Sequence, residues 1–182
     1  GERFVVGSLD AVRTARSRNS TVELCNKLGI RTPATEFVTH GDAALAAGKI
    51  GYPCWLKVSG SVASQGVYRL ADRTDLDRAL ERIPSHAEFQ IQAEIEGDLP
   101  AVTAPCRDGK VLGSFSFSTR YDMSHSGTPP HATVLDDARL EGILDKIVHA
   151  LRWTGGIDLD LLMTPDGDFA LLEINPRLSG TS

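Results

Sequence analysis

Asp158 and Asp160 alternate along one short apolar segment, Glu173 and Asn175 alternate along a second, and Asp166-Gly167 lies between them as a turn signal. That dipeptide favours a two-residue type I′ hairpin turn. Such a turn sets Pro165 against Asp168, and counting back along both strands puts Asp160 opposite Glu173 and Asp158 opposite Asn175. A four-residue loop centred on the same dipeptide preserves the pairs. Side chains alternate along a strand, so the four polar groups share one face. Leu159, Leu161, Met163, Ala170, Leu172 and Ile174 form the other, which is the expected core face.

Carboxylates directly opposed across strands have Cβ atoms only ~4.5–5.5 Å apart and repel. A hard divalent cation relieves that repulsion with oxygen ligands, and Mg²⁺ typically takes one or two carboxylates together with phosphate oxygens of a nucleotide. Asp160, Glu173 and Asn175 suit this donor set, and Arg177, two residues on, could meet a phosphate. The hairpin alone also reads as a hydrated polar face at a sheet edge, and that alternative stays open. A calcium loop fits less well because the DxDxDG spacing is absent.

Lys57 is the second candidate. It is the next-to-last residue of an apolar, β-branched run, residues 54–58, which is followed by the small-residue stretch Ser-Gly-Ser-Val-Ala-Ser-Gln-Gly at residues 59–66. This is neither GxxxxGK[ST] nor GxGxxG. At a hairpin tip, however, such a loop can offer backbone N–H groups to phosphates and close over them, with the lysine as a point charge. An ordinary surface hairpin with a lysine at its edge satisfies the same pattern.

The elements that must position these groups follow from periodicity and turn residues. A helix capped by Asn19 or Ser20 carries Val22, Leu24, Cys25 and Leu28 and stops at Gly29, and an alanine-rich helix covers residues 42–49. Residues 54–58 and 67–70 pair as a hairpin, and an amphipathic helix runs from Thr74 to Pro84. Strands follow at residues 88–93, 100–107 and 110–121, the last two turned by Asp108-Gly109. Residues 122–130 are loop-like. A helix over residues 137–152 carries Leu140, Ile143, Leu144, Ile147, Val148 and Leu151 at helical spacing. The hairpin signals predict an α+β fold with antiparallel sheets in two small lobes.

Composition excludes several classes. A formal charge of −5 gives no electrostatic footprint for nucleic acid or an anionic membrane. No apolar run approaches the ~20 residues of a membrane span, and the N-terminus lacks a signal-peptide pattern. Three separated cysteines and five scattered histidines make neither a disulfide framework nor a zinc site, which fits a reducing cytoplasm.

The run Glu173-Ile174-Asn175-Pro176-Arg177-Leu178-Ser179-Gly180 resembles the E-x-N-P-R segment of the ATP-grasp superfamily, whose members bind ATP between two α+β lobes and activate a carboxylate as an acyl phosphate. The resemblance implies Asp160, Glu173 and Asn175 as ligands of Mg²⁺, or of Mn²⁺ in its place, and Arg177 as the arginine on transferring phosphate. Gly51-Tyr52-Pro53-Cys54-Trp55-Leu56-Lys57 with the following small residues is similar to the family's strand, phosphate lysine and glycine-rich lid, which brings in Lys57, Ser64, Gln65 and Gly66. Residues 90–97 look like the interlobe hinge, where Gln92, Ala93, Glu94 and Ile95 would serve adenine. The family often has a basic residue ahead of its first helix, for which Arg18 is the nearest candidate and Arg16 the second choice. Leu99 stands where the family's ribose-binding glutamate commonly falls, with Asp98 one place early.

Residues 1–18 are therefore expected to be a connection from an upstream domain, 19–90 a small lobe with the first helix and lid, and 91–182 a large lobe with the metal site. The implied activity is ATP-dependent ligation of a small-molecule carboxylate to an amine, forming ADP. Carbamoyl-phosphate or biotin-carboxylase-like chemistry with bicarbonate is the alternative, and an ATP-binding regulatory module without turnover is a third reading. Flanking domains and a homodimer complete the expectation. Arg120 and residues 121–130 read either as acceptor-pocket lining or as a solvent loop.

Overall fold

The computed structural model describes residues 7–59, 66–120 and 131–179, without the side chains of residues 119, 120, 131 and 132. The chain divides into two compact units, one of Gly1–Arg31 with Glu96–Ser182 and one of Thr32–Ile95.

The N-terminal segment, expected to be an irregular connection, forms helix α1 (Leu9–Arg16), capped by the Ser8 hydroxyl on the Ala11 N–H. It buries Ala11 and Ala15 and leaves its arginines outside, so spacing of small apolar residues outweighs the basic composition. Helix α2 (Arg18–Leu28) is capped by Ser17 rather than by Asn19 or Ser20. Gly29 ends it at φ 63° in a Schellman motif, with the Ile30 N–H donating to the Cys25 carbonyl at 2.9 Å. Residues 1–31 belong with the C-terminal half, so the expected boundaries at 18 and 90 shift to 31 and 95.

In the unit Thr32–Ile95, strands β1 (Thr35–Val38), β2 (Cys54–Val58), β3 (Val67–Leu70) and β4 (Phe89–Ala93) make an antiparallel sheet in the order β1-β4-β2-β3. Helices α3 (Ala43–Ile50) and α4 (Arg73–Leu80) supply the other half of its core, which includes Ala43, Ala47, Leu76 and Ala79 against Cys54, Leu56, Phe89 and Ile91. Alternation along β2 leaves Trp55 and Lys57 on the opposite face from Cys54 and Leu56.

The second sheet has the order β10-β9-β5-β7-β8, with β6 paired to β5. Its strands are β5 (Pro100–Arg107), β6 (Lys110–Val111), β7 (Phe115–Arg120), β8 (His131–Leu135), β9 (Gly155–Met163) and β10 (Phe169–Asn175), and helix α5 (Ala138–Leu151) covers one face. The Asp108-Gly109 turn has φ of 50° and 79°, as a type I′ turn demands. The single strand expected over residues 110–121 is instead split. Cys106 pairs with Val111 and Thr103 with Phe115, one residue more on the outer strand than on β5, so residues 112–114 bulge. Strand β8 was not anticipated.

The closing hairpin corrects the expected turn. Only Gly167 has a positive φ, the Gly167 N–H donates to the Thr164 carbonyl, and the Thr164 N–H donates to the Asp168 carbonyl, each at 2.8 Å. This is a type I turn with Pro165 at its second position, closed by a glycine bulge. Proline's fixed φ suits that position, and the turn therefore starts one residue earlier than the Asp166-Gly167 signal suggests. The slip would turn the acidic residues into the core, but a second irregularity at Leu172 restores the register. Phe169 and Leu171 consequently join the core on the α5 side; Ala170, expected there, is buried outside that cluster, and Leu172 is half-buried.

Candidate functional site

Beyond Leu172 the expected pairs are present: Glu173 opposite Asp160 and Asn175 opposite Asp158. On the other side of β9, Ala101 pairs with Asp160 and Thr103 with Asp158. Two rows therefore cross the sheet on the face away from α5, Asn175-Asp158-Thr103 and Glu173-Asp160-Ala101. The Asn175 amide donates to Asp160 Oδ2 at 2.8 Å and to Asp158 Oδ2 at 3.4 Å. With its N–H groups turned to the carboxylates, Asn175 keeps its carbonyl oxygen as an acceptor.

Burial differs sharply along these rows. Glu173 is exposed and Asp160 half-buried, whereas Asp158 is 3% exposed. Asp158 Oδ1 is buried without a hydrogen-bond partner. Desolvation, reinforced by Asp160, pushes the Asp158 carboxyl up to about 6, against the opposing pull of Arg177 and the Asn175 hydrogen bond. Sequence alternation could place Asp158 on this face but carried no measure of its depth.

A raised acid pKa favours the protonated form in the folded state. The associated stability is present below the unfolded-state pKa near 4 and is lost as pH rises through about 6. Asp158→Asn should therefore leave metal-free stability unchanged below pH 4 and raise it by up to about 3 kcal/mol above pH 6.5. Urea unfolding in chelator across that range checks this; an equal effect at pH 3.5 and pH 7.5 would contradict it.

The segment after β10 folds back across the same face. The Arg177 N–H donates to the Asn175 carbonyl at 2.9 Å, and Arg177 Nη1 donates to the Leu178 carbonyl at 3.1 Å. Leu178 packs onto Gly156, where a Cβ would come within 2.9 Å of both the Leu178 nitrogen and Cγ. Gly156 shares the Asp158 and Asp160 face, so its missing side chain makes room for this return. The Ser179 N–H then donates to Thr103 Oγ1 at 3.1 Å.

The donor set fits a hard divalent cation. It offers two carboxylates and an amide oxygen on one face, with like charges directly opposed and a buried carboxylate oxygen unsatisfied beside them. Among the described residues no group of three or more His, Cys, Asp and Glu forms a ready cage, so ligand oxygens would have to complete the coordination.

In the unit Thr32–Ile95, Lys57 Nζ donates to Gln92 Oε1 at 2.6 Å, and Gln92 Nε2 donates to Thr35 Oγ1 at 3.1 Å. Gln92, expected at the nucleotide, is buried and holds the Lys57 ammonium. The Ala93 N–H donates to the Ala34 carbonyl at 2.9 Å. Glu94 forms a two-pronged pair with Arg69 at 2.6 and 2.8 Å, and those hydrogen bonds hold its carboxyl below the usual range. Ile95 is the last residue of this unit. The Gly66 carbonyl accepts from the Val58 N–H at 2.8 Å, closing the hairpin base, while Ser64 and Gln65 lie outside the described residues. Arg18, expected ahead of the first helix, opens the second one. Residues 121–130 and the Arg120 side chain also lie outside the described residues.

No family model matches the chain. It is 28% identical over 200 residues to the formate-dependent phosphoribosylglycinamide formyltransferase of Ignicoccus hospitalis, covering 96% of this chain and 48% of that protein. It is likewise 28% identical over 190 residues to the carbamoyl phosphate synthase large chain of Myxococcus xanthus, covering 96% of this chain and 17% of that one. The chain thus spans half or less of these relatives. Among solved structures, an ADP complex of N5-carboxyaminoimidazole ribonucleotide synthetase superposes with a TM-score of 0.78 at 16% identity, over 93% of this chain and 47% of that one. The D-alanine–D-alanine ligase of Bacillus anthracis gives 0.72 at 21% identity, over 96% and 60%. With its two antiparallel sheets, its acidic hairpin and these neighbours, the chain has the fold of the ATP-grasp superfamily.

Proposed function

We propose that this chain is the nucleotide-binding core of a Mg²⁺-dependent, ADP-forming ligase that phosphorylates a small-molecule carboxylate and passes the acyl group to an amine. The observation that carries the reading is the Asp160/Glu173 pair with the Asn175 amide on Asp160, followed at once by Pro176-Arg177. Asp160, Glu173 and Asn175 would hold Mg²⁺, or Mn²⁺ in its place, and the ion would neutralise phosphate oxygens. Lys57, oriented by Gln92, supplies a fixed positive charge to the phosphates, and Arg177 supplies a second at the transferring group. With adenine, the Glu94 and Ile95 backbone remains for recognition once the Ala93 N–H is spent. Catalysis of this kind rests on placement and charge neutralisation, and no nucleophilic side chain is required.

The curated relatives favour a second reading within the same chemistry, since several are carbamoyl phosphate synthase large chains. In that reading bicarbonate is the carboxylate, and bicarbonate-dependent ADP release separates it from ligation of an organic acid. We place the protein in the cytoplasm, where its three buried free thiols, Cys25, Cys54 and Cys106, stay reduced. No helix among the described residues is long and apolar enough to cross a membrane. Flanking domains that bring the acceptor, and a homodimer, belong to this proposal.

The test is calorimetric titration of the full-length protein with ATP, with and without Mg²⁺, beside Glu173→Ala. Wild type should bind ATP at least about tenfold more tightly with Mg²⁺, and the variant should lose most of that gain. Equal Mg²⁺ dependence in the two proteins would overturn the metal assignment.

A further inference from the structure

Arg177 has one feature that its own motif does not explain. The guanidinium extends from an exposed return segment with no regular secondary structure, yet its proposed task demands a fixed position. The segment is held at two points. Leu178 rests on the bare backbone of Gly156, and the Ser179 N–H donates to Thr103 Oγ1 at 3.1 Å. Thr103 is 6% exposed in the middle of β5, and its hydroxyl proton is committed to the Ile157 carbonyl on β9, also at 3.1 Å. One oxygen therefore joins three stretches of chain: β5, the residue before Asp158, and the residue two past Arg177.

A hydroxyl that donates to one backbone group and accepts from another fixes its own rotamer and leaves the second partner a single low-energy place. Thr103 also lies in the row Asn175-Asp158-Thr103, so the segment is pinned directly across the sheet from the point where it leaves β10. A short span tied at both ends, by Asn175 in β10 and by Thr103 at Ser179, has little freedom to swing the residue between them.

We propose that Thr103 is a positioning residue for Arg177, acting through the Ser179 backbone to hold the guanidinium where a transferred phosphate would sit. This rests on the proposed nucleotide function, and the distinction between ADP and ATP makes the two separately testable. Arg177 meets only the phosphate that ATP has and ADP lacks, so a misplaced Arg177 weakens one nucleotide and not the other.

The experiment titrates the full-length protein with MgATP and MgADP for wild type, Thr103→Val, Thr103→Ser, Arg177→Ala and the Thr103→Val/Arg177→Ala double variant. Thr103→Val should weaken MgATP about five- to tenfold, in line with the loss of one or two hydrogen bonds, and shift MgADP less than about twofold. Thr103→Ser should restore wild-type affinity, and Thr103→Val should add nothing once Arg177 is gone. Ser179→Pro removes the donor from the partly exposed side without touching the buried threonine, and should reproduce the ATP-selective loss should the valine variant fail to fold. Equal weakening of both nucleotides, or a full Thr103→Val effect in the Arg177→Ala background, would overturn the positioning role. A wild type that binds neither nucleotide would overturn the proposed function and this inference with it.

Discussion

Asp160→Asn is expected to lower Mg²⁺-dependent ATP affinity by about 100-fold or more and, in the same molecule, to raise the stability of the metal-free protein. The two effects have one origin. Asp160 stands directly opposite Glu173, a like-charged pair that costs about 0.2–1 kcal/mol on a sheet, and it also pushes up the pKa of buried Asp158. Removing its charge relieves both neighbours. The Asn175 amide, which donates to Asp160 Oδ2 at 2.8 Å, still finds an oxygen on asparagine, so the packing has no reason to change. A carboxylate kept for structure would behave in the opposite way, since its loss would destabilise the fold. Thermal unfolding in chelator and ATP titration with and without Mg²⁺ measure the two halves. Lower metal-free stability together with unchanged Mg²⁺ dependence would show the aspartate to be structural.

Local pattern in the sequence makes this face legible. Alternation fixed which side chains share a side, and the turn dipeptide fixed a register that holds at Asp158, Asp160, Glu173 and Asn175. It held for a reason the sequence does not display. Proline at 165 moves the turn by one residue, and the irregularity at Leu172 moves the strand back, so two offsets cancel before the site is reached. Register inferred from a turn alone is exposed to such offsets, and here the side-chain assignments between turn and bulge were the ones that failed, at Ala170 to Leu172.

Other parts were illegible because they depend on contacts distant along the chain. Nothing local distinguishes Gln92 as the partner of Lys57 from Gln92 as a nucleotide contact; the difference comes from β4 lying between β1 and β2 with Thr35 on its far side. The same holds for Ala93, whose N–H is taken by Ala34. The depth of Asp158 was likewise illegible: Asp160 lies between the same two strands, β5 and β10, and is only half-buried, so alternation gives a face without a depth. The first helix was missed through composition: four arginines within residues 1–18 mask the Ala11 and Ala15 spacing by which α1 joins the core of the unit that carries the carboxylates.

Gly97 follows the crossing at Ile95 and Glu96, where the chain passes from one unit into the other, and it is expected to tolerate no side chain at all. A Cβ built there would lie inside the contact distance of the Met163 carbonyl oxygen and 3.0 Å from its carbonyl carbon. That obstacle is backbone at the end of β9, and it cannot rotate away as a side-chain tip could. The neighbouring hydrogen bond from the Met163 N–H to the Asp98 carbonyl, at 2.9 Å, ties the same two stretches together, so relief by separating them sacrifices that bond. Gly97→Ala should therefore destabilise the unit carrying the acidic hairpin by about 3 kcal/mol, at the upper end for overpacking, and lower its midpoint by roughly 6–12 °C. Each unit holds one tryptophan, Trp55 in one and Trp153 in the other, so Trp153 fluorescence in a Trp55→Phe background reads the affected unit. A midpoint within 2 °C of wild type would mean that the Gly97 backbone can move aside, and the close approach to Met163 would then have no structural role.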